Sequence, residues 1–418
     1  MEVAIIGAGA AGCFCAAELG RLHPDWDITL LEAGPRPMAK LAVTGGGRCN
    51  ITNTFEGVES LLSVYPRGER LMKRALARFG WQDCLAWFRE RGVEFTVQDD
   101  HCVFPASQDA MQIVRTLERE MRLAGVRLLC GCTVTAVSPD LTISVIPGDP
   151  GARQGPSAPH TCDQFQANGV QNACYLHPDR IILTSGGGTA GILSGTGIPL
   201  EPPVPSLFTL KIGDDGLRSL MGTVVQNVSL GIAGTRFRSY GTLLLTDWGV
   251  SGPATLKLSS YAARHLAEHQ YKGTLLVNWL DSDEPGAAGI IDGLSSSGSR
   301  MVANSHPPQI SDRLWKFLVT RAKIREDCRW SELGSKGRAR LINTITSDTY
   351  PITGRARFKE EFVTCGGVSL GAVNPATMES RSIPGLYFAG EVLDIDAITG
   401  GFNLQAAWST AWIAAHSV

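Results

Sequence analysis

Residues 2–6 (EVAII) form a short apolar run, the pattern of a strand covered on both faces in a parallel sheet. Apolar residues then recur at helical spacing from Ala10 to Leu22, and DITLLE, Asp27 to Glu32, returns to a buried strand. The chain therefore opens with a βαβ unit. Helical periodicity follows over Glu69–Arg91, broken at Gly80, and over Gln108–Ala124, where Ser107 is placed as N-cap. Strands are predicted at Val126–Cys130 and Thr133–Val137. Pro147–Pro178, rich in Pro, Gly, Gln and Asn, reads as a long surface hairpin or insertion. RIILTSGGG, from Arg180, is again a buried strand ending in glycine.

From about Leu200 the texture changes. PSLFTLKI, TVVQNVSLGI and GTLLLTDWG are short β-rich runs at close spacing, which predicts an antiparallel sheet or barrel. Ser251-Gly-Pro then starts a helix with a Ser cap, and residues 309–345 carry mixed charge at helical spacing. GLYFAGEV and GGFNLQAAWSTAWIAA give strand, loop and helix. The chain leaves an α/β domain, builds an insertion and returns.

At 418 residues there is more chain than one core usually serves, so two or three domains are expected. A net charge of −2, with 44% hydrophobic and 19% charged residues, creates no overall field for nucleic acid or anionic lipid. Eleven irregularly spaced cysteines suit a reducing compartment better than a disulfide framework. With no basic leader and no apolar run near the roughly 20 residues that span a bilayer, a cytoplasmic location is expected.

The candidate chemistry begins between the first strand and helix. Gly7-Ala-Gly9-Ala-Ala-Gly12, with Ala16 four residues later and Glu32 at the end of the second strand, is a dinucleotide fingerprint. Gly7 makes the tight turn, Gly9 admits a pyrophosphate, Gly12 and Ala16 let helix and strand pack, and Glu32 meets ribose hydroxyls. The helix N-terminus favours the anion. AVTGGGRCN begins ten residues after Glu32, too soon for a further βαβ unit of an NAD domain. Glu391 follows a late strand, where an acid can hold a ribitol chain, and TGGFN opens a helix near Gly401 that would stabilise charge at the N1 and O2 edge of a reduced flavin.

Together VAIIGAGAAG, KLAVTGGGRCNITN, VFPAS, TDWGVSGPATLKLS, FVTCGGVSLGAVNPATMES and GLYFAGEVLDIDAITGGFNLQAAW resemble the BaiN/YhiN-type flavoproteins, NAD(P)/FAD-dependent oxidoreductases that include aminoacetone oxidase. The resemblance runs through nearly the whole chain. It implies a glutathione-reductase-type, Rossmann-like FAD-binding domain assembled from residues 1–198 and 365–418. The insertion would be a β-barrel over 199–284 carrying a helical subdomain over 285–345, with 346–364 returning through the barrel. Arg48 and Asn50 would serve catalysis, Arg48 by positive charge and Asn50 by hydrogen bonds near the ring. The FAD site would take Gly7, Gly9, Ala10, Ala11, Gly12, Glu32 and Ala33 from the opening unit, and Lys40, Thr44, Gly46, Gly47, Arg48, Cys49 and Asn50 from the second motif. Thr133, Val134, Ser185, Gly186 and Gly187 would add to it, with Gly390, Glu391, Gly401, Phe402, Asn403 and Leu404 from the C-terminal part. NADH or NADPH would bind only transiently, as electron donor.

Three departures stand out against the family pattern. SGGGTAGILSGTGIPLEPP is compressed, Asp247 stands where many relatives carry His, and Ala397 where many carry Gly. No proton-transfer role therefore passes to position 247.

Rival motifs are weaker. Gly186-Gly-Gly188-Thr-Ala-Gly191 repeats the glycine spacing, but ILSGTGIPLEPP cannot supply the helix that would hold phosphates. The absence of CxxC disfavours a dithiol reductase, and the Cys and His residues show no zinc spacing. Residues 313–340 hold nine Lys or Arg against three Asp or Glu, with Trp315 and Trp330, which reads as a solvated helical face rather than an RNA surface. The expected activity is hydride transfer between NAD(P)H or a small substrate and flavin N5, then to oxygen or an unsaturated acceptor, with no nucleic-acid or membrane partner. A flavin-dependent RNA-modifying enzyme and a flavin-binding sensor are the alternatives.

Overall fold

The computed structural model describes residues 1–147, 174–296, 298–356 and 363–418, so most of the predicted Pro147–Pro178 insertion and Phe362 of the FVTCGG motif lie outside the described residues. The chain divides into two compact units, one of residues 1–203 and 363–418, the other of residues 204–362.

The first unit is built on a five-stranded parallel sheet. β1 (Glu2–Ile6) pairs in register with β2 (Asp27–Glu32) on one side and with the strand Arg180–Leu183 on the other. Arg127–Cys130 and Leu386–Phe388 form the two edges. The central strands are apolar on both faces because helices cover both faces of a parallel sheet. α1 (Ala10–Leu22) occupies its predicted span, with Cys13, Phe14, Cys15, Ala16 and Leu19 inaccessible to solvent. The C-terminal helix, Phe402–Ala415, packs on α1, and its burial on nearly every side explains why it has no amphipathic stripe.

Helices at Glu69–Arg78 and Trp81–Arg89 meet at Gly80, as the periodicity predicted. The next helix runs from Ala110 to Leu123, and its cap is Asp109, whose carboxylate accepts from Met111 N–H at 2.9 Å, not Ser107. Gln108 has φ of +55°, outside the helical region, so the helix cannot start as early as Ser107 would require.

In the second unit six antiparallel strands close a barrel: Leu210–Ile212, Gly249–Ser251, Arg238–Leu245, Val224–Ile232, Gly273–Asn278 and Asp348–Arg355 in spatial order. Ser251 ends a strand here, and the helix Pro253–Tyr261 is capped by Gly252 at φ +89°. Glu284–Ser295, Asp312–Arg321 and Gly334–Thr346 are the helices between the last two barrel strands in sequence, and their apolar residues share one core with the barrel. Asp348 anchors that core, accepting from Trp279 Nε1 at 3.2 Å and Arg321 Nε at 2.6 Å. Among the described residues no helix is long and apolar enough to cross a membrane.

Candidate functional site

The turn from β1 into α1 is fixed by two glycines that cannot be replaced within this packing. A Cβ on Gly7, at φ +102°, would lie 2.7 Å from Thr184 O, and one on Gly12 would lie 2.0 Å from Gly7 O. Thr184 Oγ1 donates to Ile6 O and Gly7 O, pinning the turn to the neighbouring strand end. Gly9 is different: nothing lies within 4 Å of its missing Cβ, and it caps α1 without a side-chain acceptor. The first turn of α1, Ala10 to Gly12, therefore begins with no side-chain cap on its N–H groups, the arrangement that suits a pyrophosphate.

Glu32 reaches this turn from the end of β2. Oε2 accepts from Ala8 N–H at 2.8 Å and Oε1 from Gly34 N–H at 2.7 Å, and each oxygen retains a further lone pair for a ribose hydroxyl. Ala33 is exposed beside it. Gly131 N–H donates to Gly34 O at 2.9 Å, which brings the strand Cys132–Val137 alongside, with Thr133 exposed and Val134 buried.

A short helix, Ala39–Val43, leads into the glycine run. Gly45, Gly46 and Gly47 have φ of +62°, +69° and +82°, three consecutive left-handed residues that only glycine adopts readily. Thr44 O receives Cys49 N–H at 2.9 Å, closing the turn, and Gly47 O receives Ala110 N–H at 2.8 Å. No atom lies within 4 Å of a Cβ on Gly46 or Gly47, so this loop too presents bare backbone. Arg48 is exposed, its Nε 3.3 Å from Gly45 O and its guanidinium 4.4 Å from the centre of the Phe104 ring. Cys49 is fully buried, and burial pushes its thiol up to about 12, which makes it a small packing residue rather than a nucleophile.

Asn50 joins the two ends of the chain. With its amide oriented to satisfy its neighbours, the nitrogen donates to Thr52 O at 2.9 Å and Val103 O at 3.2 Å, and the oxygen accepts from Gly401 N–H at 3.2 Å. Gly401 caps the C-terminal helix at φ +88° with no side-chain acceptor, and a Cβ there would lie 2.4 Å from Thr52 O. The helix start is thus built for backbone, its own N–H groups being the available donors. Phe402 is buried and Leu404 half-buried. The Asn403 side chain is committed elsewhere: it accepts from Ala397 N–H at 2.9 Å and donates to Ala397 O at 3.0 Å, bracing the preceding loop.

Glu391 lies where the parallel strands end. Its Oε1 accepts from Thr364 N–H at 2.7 Å, its Oε2 is 4.0 Å from Lys40 Nζ, and the open side of Gly186 faces it. Gly187 packs on Thr364, and a Cβ on Gly390 would meet Ala11 of α1 at 2.8 Å. Ser185 Oγ is 3.2 Å from Thr189 Oγ1. The compressed segment after Leu183 makes a single 3₁₀ turn, Gly186–Gly188, and further turns, with no α-helix for a second phosphate site.

Four supporting residues are not among the predicted site residues, although Asn53, Asp396 and Gln405 lie within the quoted motifs. Asn53 accepts from Phe55 N–H at 2.9 Å and donates to Gly400 O at 3.1 Å. Gln405, fully buried, accepts from Thr52 Oγ1 at 2.5 Å. Arg67 and Asp396 form a buried ion pair one residue before Ala397. Apart from the local Asn53–Phe55 turn, these contacts join residues more than 300 apart in sequence, beyond the reach of any local pattern.

This set fits an FAD: an open, uncapped helix start beside an acid for adenosine and pyrophosphate, bare glycine backbone along one flank, and a second uncapped helix start in the same unit. The model of HI0933-like proteins, described as a Rossmann domain, matches residues 1–149 and 162–417. A 3-dehydro-bile acid delta(4,6)-reductase of Clostridium scindens is 28% identical, with 100% of this chain and 98% of the relative covered. A ribosomal RNA dihydrouridine synthase of Haemophilus influenzae is 30% identical, over 100% of this chain and 98% of the relative. A 3-ketosteroid-Δ4-(5α)-dehydrogenase of Rhodococcus jostii shares the fold, with a TM-score of 0.50 and 12% identity over 99% of this chain and 96% of that one.

Proposed function

Because the chain belongs to the HI0933-like Rossmann-domain family, we propose that it is an FAD-dependent oxidoreductase whose acceptor is a carbon–carbon double bond conjugated to a carbonyl in a ring. The observation that carries this reading is the pair of glycine-capped helix starts, at Gly9 and Gly401, in one unit made from both ends of the chain. When bound, FAD would supply a two-electron centre for hydride transfer from NAD(P)H to the acceptor.

The protein's own groups do the positioning. Glu32 and the α1 N–H groups hold the adenosine ribose and pyrophosphate, and Glu391 meets the ribitol. The N–H groups at the start of the C-terminal helix would stabilise the negative charge that a reduced flavin carries at N1 and O2. Asn50 sets that helix start against the glycine loop, and exposed Arg48 contributes positive charge beside it. The named activities of the two relatives support a shared acceptor chemistry, since a delta(4,6)-reductase and a dihydrouridine synthase both saturate a ring C=C bond. In such a reduction the hydride goes to one alkene carbon and a proton to the other.

The relative named for ribosomal RNA favours a second reading, with uridine in RNA as acceptor. The basic segment 313–340 gives it little support. Arg313 and Arg340 donate to main-chain carbonyls, and Lys316, Arg321, Arg325 and Arg338 are ion-paired within the protein.

The test is anaerobic. Protein reconstituted with FAD is bleached at ~450 nm with NADH or NADPH, then mixed with a 3-oxo-4,6-diene steroid or with uridine-containing RNA. Return of the flavin bands with the steroid, and a product two hydrogens heavier, is the expected result. Reoxidation by RNA alone selects the second reading, and reoxidation by oxygen alone overturns both.

A further inference from the structure

The barrel unit carries a cluster unrelated to the flavin reading. Residues Ala263–Glu268 form a short helix, separated by Ala262 alone from the helix Pro253–Tyr261, and the sequence at its end is HLAEH. His265 and His269 are one helical turn apart and Glu268 lies on the same flank. Their ligating atoms all fall within 4.8 Å of one another, with His265 half-buried and Glu268 and His269 exposed. The imidazole rings stand 4.2 Å apart at 34° to each other, and His265 is braced by the Phe237 ring at 5.7 Å.

One hydrogen bond prepares the site. His269 Nδ1 is 2.8 Å from the His265 carbonyl oxygen. A carbonyl only accepts, so Nδ1 is the donor, and in the neutral ring the free lone pair is on Nε2. A metal-bound imidazole characteristically makes this bond, donating its other N–H to a carbonyl or carboxylate. The helix C-terminus also favours a cation, because its last carbonyls carry partial negative charge.

We propose that His265, Glu268 and His269 bind a divalent transition-metal ion, with zinc as the best match to two imidazole nitrogens and one carboxylate oxygen. Ligand-to-metal distances of about 2 Å require the three ligand atoms to draw closer than they stand, a closure chiefly open to the exposed Glu268 side chain, since the His269 ring is held by its hydrogen bond. The order His-x-x-Glu-His also occurs in zinc peptidases, where the Glu is a base. Here Glu268 is counted as a ligand, so the group among the described residues has three members, the remaining coordination positions go to water, and the proposal is of metal binding alone. The expectation of no zinc spacing is corrected here, because His-x-x-Glu-His sets the two imidazoles one helical turn apart.

The experiment uses untagged, FAD-loaded, chelator-stripped full chain, titrated with Zn²⁺ in competition with a chromophoric chelator. One equivalent is expected per chain, with a rise in unfolding temperature. His265→Ala and His269→Ala each weaken uptake at least about tenfold, Glu268→Gln weakens it less, and His306→Ala leaves it unchanged. No stoichiometric uptake, or uptake that persists in both His265→Ala and His269→Ala, overturns the proposal.

Discussion

Glu32 holds the backbone of Ala8: its Oε2 accepts that N–H at 2.8 Å, across 24 residues, while Oε1 holds Gly34. The same carboxylate is proposed to meet the ribose, so it has two roles that a substitution separates. Glu32→Gln keeps an acceptor for one amide and loses the charge. Glu32→Ala loses both, and is expected to weaken FAD retention about tenfold to a hundredfold, the range for one or two charge-assisted hydrogen bonds. Flavin fluorescence on dilution measures it, and equal affinity in Glu32→Ala and the parent would remove Glu32 from the site.

Two glycines in left-handed conformations should respond very differently to alanine. At Gly401 the new Cβ would sit 2.4 Å from Thr52 O, so Gly401→Ala must displace the start of the C-terminal helix and lose FAD along with stability. At Gly46 the space is open, and Gly46→Ala costs only the backbone penalty, about 1 kcal/mol. Urea unfolding midpoints of the two variants test the contrast.

Arg48 is exposed and stacked over Phe104. Arg48→Ala should therefore change stability by no more than about 0.5 kcal/mol, yet lower turnover in anaerobic reduction assays if its charge acts beside the flavin. Unchanged turnover would leave it a surface residue.

The buried pair Arg67–Asp396 invites a double-mutant cycle. Arg67→Met removes the ion-pair partner of a carboxylate with no exposure and should cost about 3–5 kcal/mol, and Arg67→Met with Asp396→Leu should recover much of it. Additive losses in chemical denaturation would refute the coupling.

Glu18 links helix to helix, accepting from Arg21, Trp87 and His416. Burial alone would raise its pKa, but those hydrogen bonds prevail and bring it from the usual carboxylate range down to about 2. A carboxylate depressed in the fold stabilises above its unfolded value and loses that contribution as pH falls toward the folded value. Stability should thus decline between about pH 4.5 and 2, with a shallower decline in Glu18→Gln. Midpoints measured across that window decide it.

The Rossmann-type unit was legible because its signals are local: a strand, a turn in which Gly7 and Gly12 admit no side chain, and a helix whose bounds matched. The barrel strands were legible for the same reason. The helix caps were not, since Ser107 and Ser251 both look like caps and both lose to a neighbour whose backbone is better placed. What sequence could not reach was the framing of the site. That Asn50 spends its amide on Gly401, and that Asn403 spends its own on Ala397, follows from contacts between distant segments. Residues chosen for a cofactor can hold the protein to itself first.

The Thr52–Gln405 hydrogen bond spans 353 residues. A ribosome delivers Thr52 early and Gln405 near the end, whereas the barrel strands all arrive in one interval between them. The barrel can close while the nucleotide-binding sheet still lacks its Leu386–Phe388 edge and its last helix. Until then Gly7 to Glu32 form half a cradle, and apolar surface on α1 waits uncovered for a partner not yet made. A complete cradle consequently waits on the last turns of chain to be synthesised.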